Sequence, residues 1–227
     1  IGHLRGRYSK AELKEINDFC KSIGMTAIPF IQTLAHLEGI FKWNAYGEIR
    51  DLSNILLVGE EETYELIEKM FVALRKCFDT DKVNIGMDEA PMMGRGKYLD
   101  KHGYPENVRG VLYAHLLKVG KIAEKYGFKP SMWSDLIMNM TEKGDSREIP
   151  ENVTLCYWDY YHDGKKHYDD NIKKHLALTD KVSFAGGAWA WTGYAPMNKH
   201  SMFTMKYAMQ CCRERGIKDV TMTVWGD

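Results

Sequence analysis

The sequence predicts an α/β fold, a (β/α)8 TIM barrel lacking its first two strands at the amino end and cut after the eighth, read as a single domain over residues 1–227. Three observations predict it. Short apolar runs, too brief for core helices, alternate with segments whose apolar residues recur at helical spacing, which is the pattern of a parallel sheet covered on its faces. Six such runs occur, and the first follows a helical segment that ought itself to follow a strand. No GxGxxG succeeds the first run, so a doubly wound dinucleotide fold has little support.

Each element follows from local chemistry. Ser9 with Glu12 reads as a capping box, and Leu13, Ile16, Phe19 and Ile23 continue at helical spacing until Gly24 stops the helix. The run MTAIPFIQT over 25–33, interrupted by Pro29, reads as a buried strand. Tyr64, Ile67, Phe71, Leu74 and Phe78 mark a second helix, followed by the strand KVNIGM from Lys82. A third helix carries Val111, His115, Val119, Ile122 and Tyr126, and after Gly127 comes the strand KPSMW. Further strands are expected at NVTLCYW from Asn152, KVSFAGGAW from Lys181 and DVTMTVW from Asp219. Between the last two, Met205, Ala208, Met209 and Cys212 mark a helix ended by Gly216.

Composition narrows the function. With 44% hydrophobic residues the chain can bury a sizeable core, and 31 basic residues balance 31 acidic ones. That balance favours neither nucleic acid nor a membrane surface as partner and points to a neutral ligand. No apolar stretch approaches the roughly 18 residues of a membrane span, and the amino end lacks a signal-peptide layout. Five cysteines without a CxxC pair read as reduced core thiols, so a cytoplasmic location is expected, with secretion the alternative. Eight histidines show no HExxH or His-x-His spacing, and no metal site is expected.

In a parallel barrel, chemistry gathers beyond the carboxyl ends of the strands. There this sequence places Gln32 with His36, Asp88 with Glu89, Trp133 with Asp135, then Tyr157, Trp158, Asp159, Tyr160 and Tyr161, then Trp189 with Trp191, and finally Trp225 with Asp227. Five of the six tryptophans therefore fall at strand ends. Loop packing is the plain explanation for any one of them. Together with carboxylates they suit a sugar ring, whose C–H faces stack on aromatics while its hydroxyls bond to acids. Asp88 and Glu89 could serve glycoside cleavage, because neighbouring carboxylates raise one another's proton affinity. Yet paired catalytic carboxylates usually flank the scissile bond about 5 to 9.5 Å apart, which adjacent residues rarely do. The nucleophile, on this argument, comes from the substrate. Two alternatives stay open: a sugar-binding barrel without turnover, and a conventional two-carboxylate glycosidase using Glu89 with Asp135 or Asp227.

These residues resemble those of the β-N-acetylhexosaminidases, glycoside hydrolase family 20. The family ends its fourth strand on an Asp-Glu pair, matched by GMDEA; a His follows its third strand, matched by TLAH at His36; and a Trp-x-acid closes its eighth, matched by VWGD. The resemblance implies an exo-acting hydrolase releasing terminal non-reducing β-linked GlcNAc or GalNAc from an oligosaccharide or glycoconjugate, with no metal or organic cofactor. It implies that the substrate's 2-acetamido oxygen attacks the anomeric carbon, that Asp88 orients the acetamido N–H, and that Glu89 protonates the leaving oxygen and then activates water. By position, His36 supports the acid, Trp133, Trp158 and Trp225 wall the pocket, and Tyr157 or Tyr160 takes the acetamide, with Trp189 and Trp191 lining the site. Asp227 stands where the family usually has Glu. Met87 replaces a common Gly and TLAH a common PGH, as in a divergent subgroup. An Arg expected after the first strand and an Asp after the second are not seen, and further domains upstream and downstream are compatible with the resemblance.

Overall fold

Ser9 starts the first helix as its signature requires: its N–H donates to Glu12 Oε2 at 2.6 Å, and Glu12 N–H returns to Ser9 Oγ at 3.2 Å. In the computed structural model, residues 6–105, 108–142 and 148–225 are described. The chain divides into two compact units, Ile1–Met132 with Pro150–Val153, and Trp133–Ile149 with Thr154–Asp227.

In the first unit, α1 (Lys10–Ser22) packs on α3 (Glu61–Cys77). The helical spacing of α1 is right, but its apolar face is not buried. Asn17 is its buried residue, exchanging hydrogen bonds with Asp79, while Ile16, Phe19 and Ile23 are all more than a third exposed. The run expected as the first strand makes a single parallel bridge, Phe30 to Asn84, instead of a full ladder. Pro29 has no N–H to give and contributes only its carbonyl, to Asn84 N–H at 3.0 Å. Beyond it, Ile31 N–H donates to Asn84 O and Thr33 N–H to Ile85 O, so residues 29–33 still run alongside β1 (Lys82–Asn84).

β1 pairs in parallel with β2 (Lys129–Trp133), Lys82 opposite Lys129 and Asn84 opposite Ser131. The expected run 82–87 is cut short, because Gly86 and Met87 turn left-handed at φ 72° and 68°. That turn ends the strand and delivers Asp88 and Glu89. Helix α5 (Val108–Lys125) buries Leu112, His115, Leu116 and Val119. Two short helices escape the periodic reading, α2 (Glu38–Phe41) and α4 (Lys97–His102). α4 lacks a capping side chain of its own. Asp51 replaces it from a distance, accepting the N–H groups of Gly94, Gly96 and Tyr98 at 2.8, 3.1 and 2.9 Å.

The second unit is built on β3 (Thr154–Trp158), β4 (Val182–Gly187) and β5 (Val220–Thr223), all parallel, with Leu155 opposite Val182 and Phe184 opposite Val220. Helices α6 (Asp135–Glu142), α7 (Lys165–Leu176) and α8 (Asn198–Arg215) complete it, and Gly216 caps α8 at φ 72°. Strand parity sorts the side chains. Tyr157, Val182 and Phe184 pack with Tyr168, Ile172, Ala208, Cys211 and Cys212 from α7 and α8. On the opposite face Cys156 and Ala185 meet Trp133, with Trp158 against them. Both units thus carry parallel α/β structure. Among the described residues, no helix is long and apolar enough to cross a membrane.

Candidate active site

In the first unit the acid pair sits on a loop of unusual backbone. Among the described residues, the non-glycine positions with left-handed φ are His36 (55°), Met87 (68°), Glu89 (50°) and Trp189 (36°). Three of them surround Asp88. An L-residue held there costs on the order of 1 kcal/mol, so the surrounding structure must impose it. Met87 is fully buried. The two acids then differ in setting: the Asp88 side chain is 16% exposed and that of Glu89 56%. His36 Nε2 lies 3.3 Å from Asp88 Oδ2 and 3.5 Å from Glu89 Oε2, bridging the pair. Gln32 Nε2 donates to Asp88 Oδ1 at 3.2 Å. Asp88 is therefore recessed and bonded, while Glu89 faces outward.

A buried imidazole fastens the segment that carries Gln32. His115 of α5 donates from Nε2 to Thr33 O at 2.9 Å, and its Nδ1 accepts the Tyr64 hydroxyl at 3.1 Å. Burial lowers its pKa to about 4, so the ring is neutral and can play both parts. Thr33 Oγ1 also donates to Ile85 O at 2.7 Å.

In the second unit the strand-end tryptophans come together. Trp133 and Trp225 lie 6.0 Å apart by ring centroid, and Trp189 stacks on Trp191 at 5.0 Å and 21°. Tyr160 joins the cluster, 5.3 Å from Trp158 and 5.6 Å from Trp191. Its carbonyl accepts Trp189 Nε1–H at 2.6 Å. Gly187 at the end of β4 makes this possible, since a Cβ there would stand 2.6 Å from the Trp191 ring. Trp225 remains 41% exposed. Loop packing therefore accounts for Tyr160, Trp189 and Trp191 in part, and the aromatic surface is still open at Trp225.

Tyr157 differs from the expectation. Adjacent strand residues point to opposite faces, so Tyr157 and Trp158 cannot share a wall. Tyr157 lies in the core against Phe184 and His175, its hydroxyl donating to Asp159 at 3.0 Å. Burial first, and then Asp159, raise its pKa and keep it a donor. Asp159 in turn is buried. At 6% exposure it accepts the N–H groups of Tyr161 and His162, and its carboxylate lies 2.7 Å from His162 Nδ1 and 2.9 Å from His167 Nε2. Burial opposes its charge, but the Tyr161 N–H and His162 outweigh this and lower its pKa. Asp159, His162 and His167 each offer a ligand atom within 4.8 Å of the others. The two imidazoles stack at 3.5 Å and 10°, and both ring nitrogens are directed at the same carboxylate oxygen, Asp159 Oδ2. The trio fits a hydrogen-bond hub. Asp135 opens α6, and Asp227 lies outside the described residues.

The sequence places Gln32 beside His36 without marking a task for it, and nothing in it marks the Asp159 hub. Neither has a spacing signal, because both are made by contacts between loops and neighbouring segments.

No family model matches the sequence. Hexosaminidase D of Bos taurus is 26% identical over 210 residues, covering 86% of this chain and 58% of that protein. The chain thus spans less than two thirds of that relative's length. A solved β-N-acetylhexosaminidase superposes with a TM-score of 0.66 over 98% of this chain and 51% of its own, at 16% identity. The family 20 exo-β-N-acetylglucosaminidase of Vibrio harveyi, solved with N-acetylglucosamine, gives 0.65 over 98% and 39%, also at 16% identity. These likenesses at low identity are likenesses of fold. The chain is thus similar in sequence to hexosaminidase D and in fold to solved β-N-acetylhexosaminidases.

Proposed function

We propose that this chain, a relative of the β-N-acetylhexosaminidases, forms the catalytic barrel segment of an exo-acting glycoside hydrolase. Its substrates are oligosaccharides or glycoconjugates ending in non-reducing β-linked N-acetylhexosamine, and its six strand-like runs correspond to the third to eighth strands of the barrel. In the reaction the acetamido oxygen attacks the anomeric carbon as the glycosidic bond breaks and Glu89 hands its proton to the leaving oxygen. Asp88 accepts the acetamido N–H and balances the positive charge of the oxazolinium ring. Glu89, now a carboxylate, takes a proton from water, which opens the ring at the anomeric carbon. Two inversions retain configuration. Apolar ring faces of the second unit, Trp225 above all, are of the kind on which a pyranose stacks.

The observation that carries this reading is the left-handed backbone at His36, Met87 and Glu89, gathered round one recessed and one outward carboxylate. Strain concentrated on an acid pair supports a site held for chemistry. The asymmetry of exposure supports the division of labour. A proton donor must reach the aglycone side, whereas a group orienting the acetamide must be held still. The test is hydrolysis of 4-nitrophenyl N-acetyl-β-D-glucosaminide and its galactosaminide counterpart, with inhibition by a thiazoline analogue of the oxazolinium. Turnover blocked by the thiazoline is the expected result. Cleavage of a glucoside lacking the acetamido group, insensitive to the thiazoline, would favour the two-carboxylate alternative, and binding without release would favour a lectin-like role. We also propose a cytoplasmic location, supported by five free cysteines; a disulfide detected in protein from cells would count against it.

A further inference from the structure

We infer that Gln32 is a positioning residue for Asp88: its carboxamide N–H, donated to Oδ1 at 3.2 Å, aims the carboxylate. The inference rests on the hydrolase reading for its catalytic meaning. Four features make the contact a built one. The backbone on either side of Gln32 is tied to the neighbouring strand segment, Ile31 N–H to Asn84 O, and Thr33 N–H and Oγ1 to Ile85 O, while His115 holds Thr33 O from the helix side. Gln32 lies directly over Gly86, where a Cβ would come within 1.9 Å of Oε1 and 2.7 Å of Cδ. Glycine is thus required both for the left-handed turn that presents Asp88 and for the space its hydrogen-bond donor fills. Finally, Gln32 Oε1 is buried with no hydrogen-bond partner among the described residues. A buried acceptor left unbonded costs stability, and the amide keeps this orientation because turning it over would set its oxygen against Asp88.

Charge explains why an amide suits the position. Asp88 already has Glu89 as its chain neighbour, with His36 as the facing group that can carry positive charge. A third carboxylate at residue 32 would favour a shared proton and weaken Asp88 as an anion. A carboxamide offers a donor of the same length without adding charge.

Two variants test this. Gln32→Glu keeps the shape and reverses the electrostatics; Gln32→Met keeps the length and removes the donor. In Gln32→Glu the acidic limb of kcat/KM should move to higher pH, with kcat at neutral pH down roughly tenfold and KM little changed. In Gln32→Met the titration midpoint of the Asp88 carboxyl carbon, followed by 13C NMR, should move to higher pH than in the parent protein. A purely structural role would lower thermal stability and activity alike in both variants and leave limb and midpoint in place, which overturns the inference. A protein that hydrolyses no N-acetylhexosaminide yet shows the midpoint shift loses the hydrolase reading and keeps the Gln32–Asp88 link.

Discussion

Asp88 and Glu89 are neighbours in sequence, and the backbone between them decides that they behave differently. Met87 and Glu89 both lie at positive φ, and between them Asp88 is recessed while Glu89 is largely exposed. Glu89→Gln should abolish cleavage of substrates with poor leaving groups while largely sparing activated aryl glycosides, because only the former need the proton. Equal losses on both substrates, measured as kcat/KM, would contradict the assignment. Asp88→Asn removes charge stabilisation and should lower kcat on both substrate types by roughly 10²-fold. A subtler test is Gly86→Ala. The added methyl meets the Gln32 amide and forces an unfavourable φ, so the melting temperature and kcat should both fall, whereas Gly103→Ala, at a similar φ with open space, should lower only stability.

At the scale of elements, two buried histidines join helices to the segments that follow strands. His115 links α5 to Thr33, and His175 of α7 accepts the Ser134 hydroxyl at Nε2 (2.8 Å) while Nδ1 donates to Asn171 O (2.7 Å). Burial lowers the pKa of both, and that of His115 to about 4 from an ordinary value of 6.5. Between those two pH values the unfolded chain binds a proton at His115 that the folded chain does not. Its contribution is therefore complete above pH 6.5 and is lost as pH falls toward 4, on the order of 3 kcal/mol in all. Denaturant titrations at pH 7 and pH 5 should show this slope, and His115→Gln, which keeps a donor for Thr33 O, should flatten it. An unchanged slope would place the protonation elsewhere. Ser9→Ala should cost α1 about 1 kcal/mol through loss of the capping box.

The molecule as a whole is electrically balanced, with a pI near 7.2, and the first unit displays apolar surface. Phe19, Ile23, Met25, Ile28 and Phe30, within twelve residues of one another, are all more than a third exposed. Little net repulsion and an exposed apolar stripe together promote self-association. Solubility should pass through a minimum near neutral pH, and Phe19→Lys with Ile23→Lys should raise it and reduce dye binding to exposed apolar surface. Light scattering that does not change in the double variant would locate the sticky surface elsewhere.

Much of this protein was legible in its residues. Short apolar-rich runs identify β2 to the residue and β3, β4 and β5 within a few positions; β4 is buried along its whole length, whereas β2 and β5 also carry exposed residues. Ser9, Gly24 and Gly216 marked helix ends since capping is a local matter of orphaned N–H groups and left-handed turns. The acid pair and the strand-end tryptophans stood out by type and place. Helix α7 was less visible, its three buried positions Tyr168, Ile172 and His175 being lost among lysines and aspartates. What the residues alone determined was chemistry and period: α/β elements, an adjacent Asp-Glu, a set of rings. Only tertiary structure decided that Tyr157 turns to the core, that the apolar face of α1 stays exposed, and that Gln32 rests on Gly86 to hold Asp88. Those outcomes depend on which face of an element meets a neighbour and on how far the chain folds back. No periodicity encodes them, because they arise between residues distant in sequence.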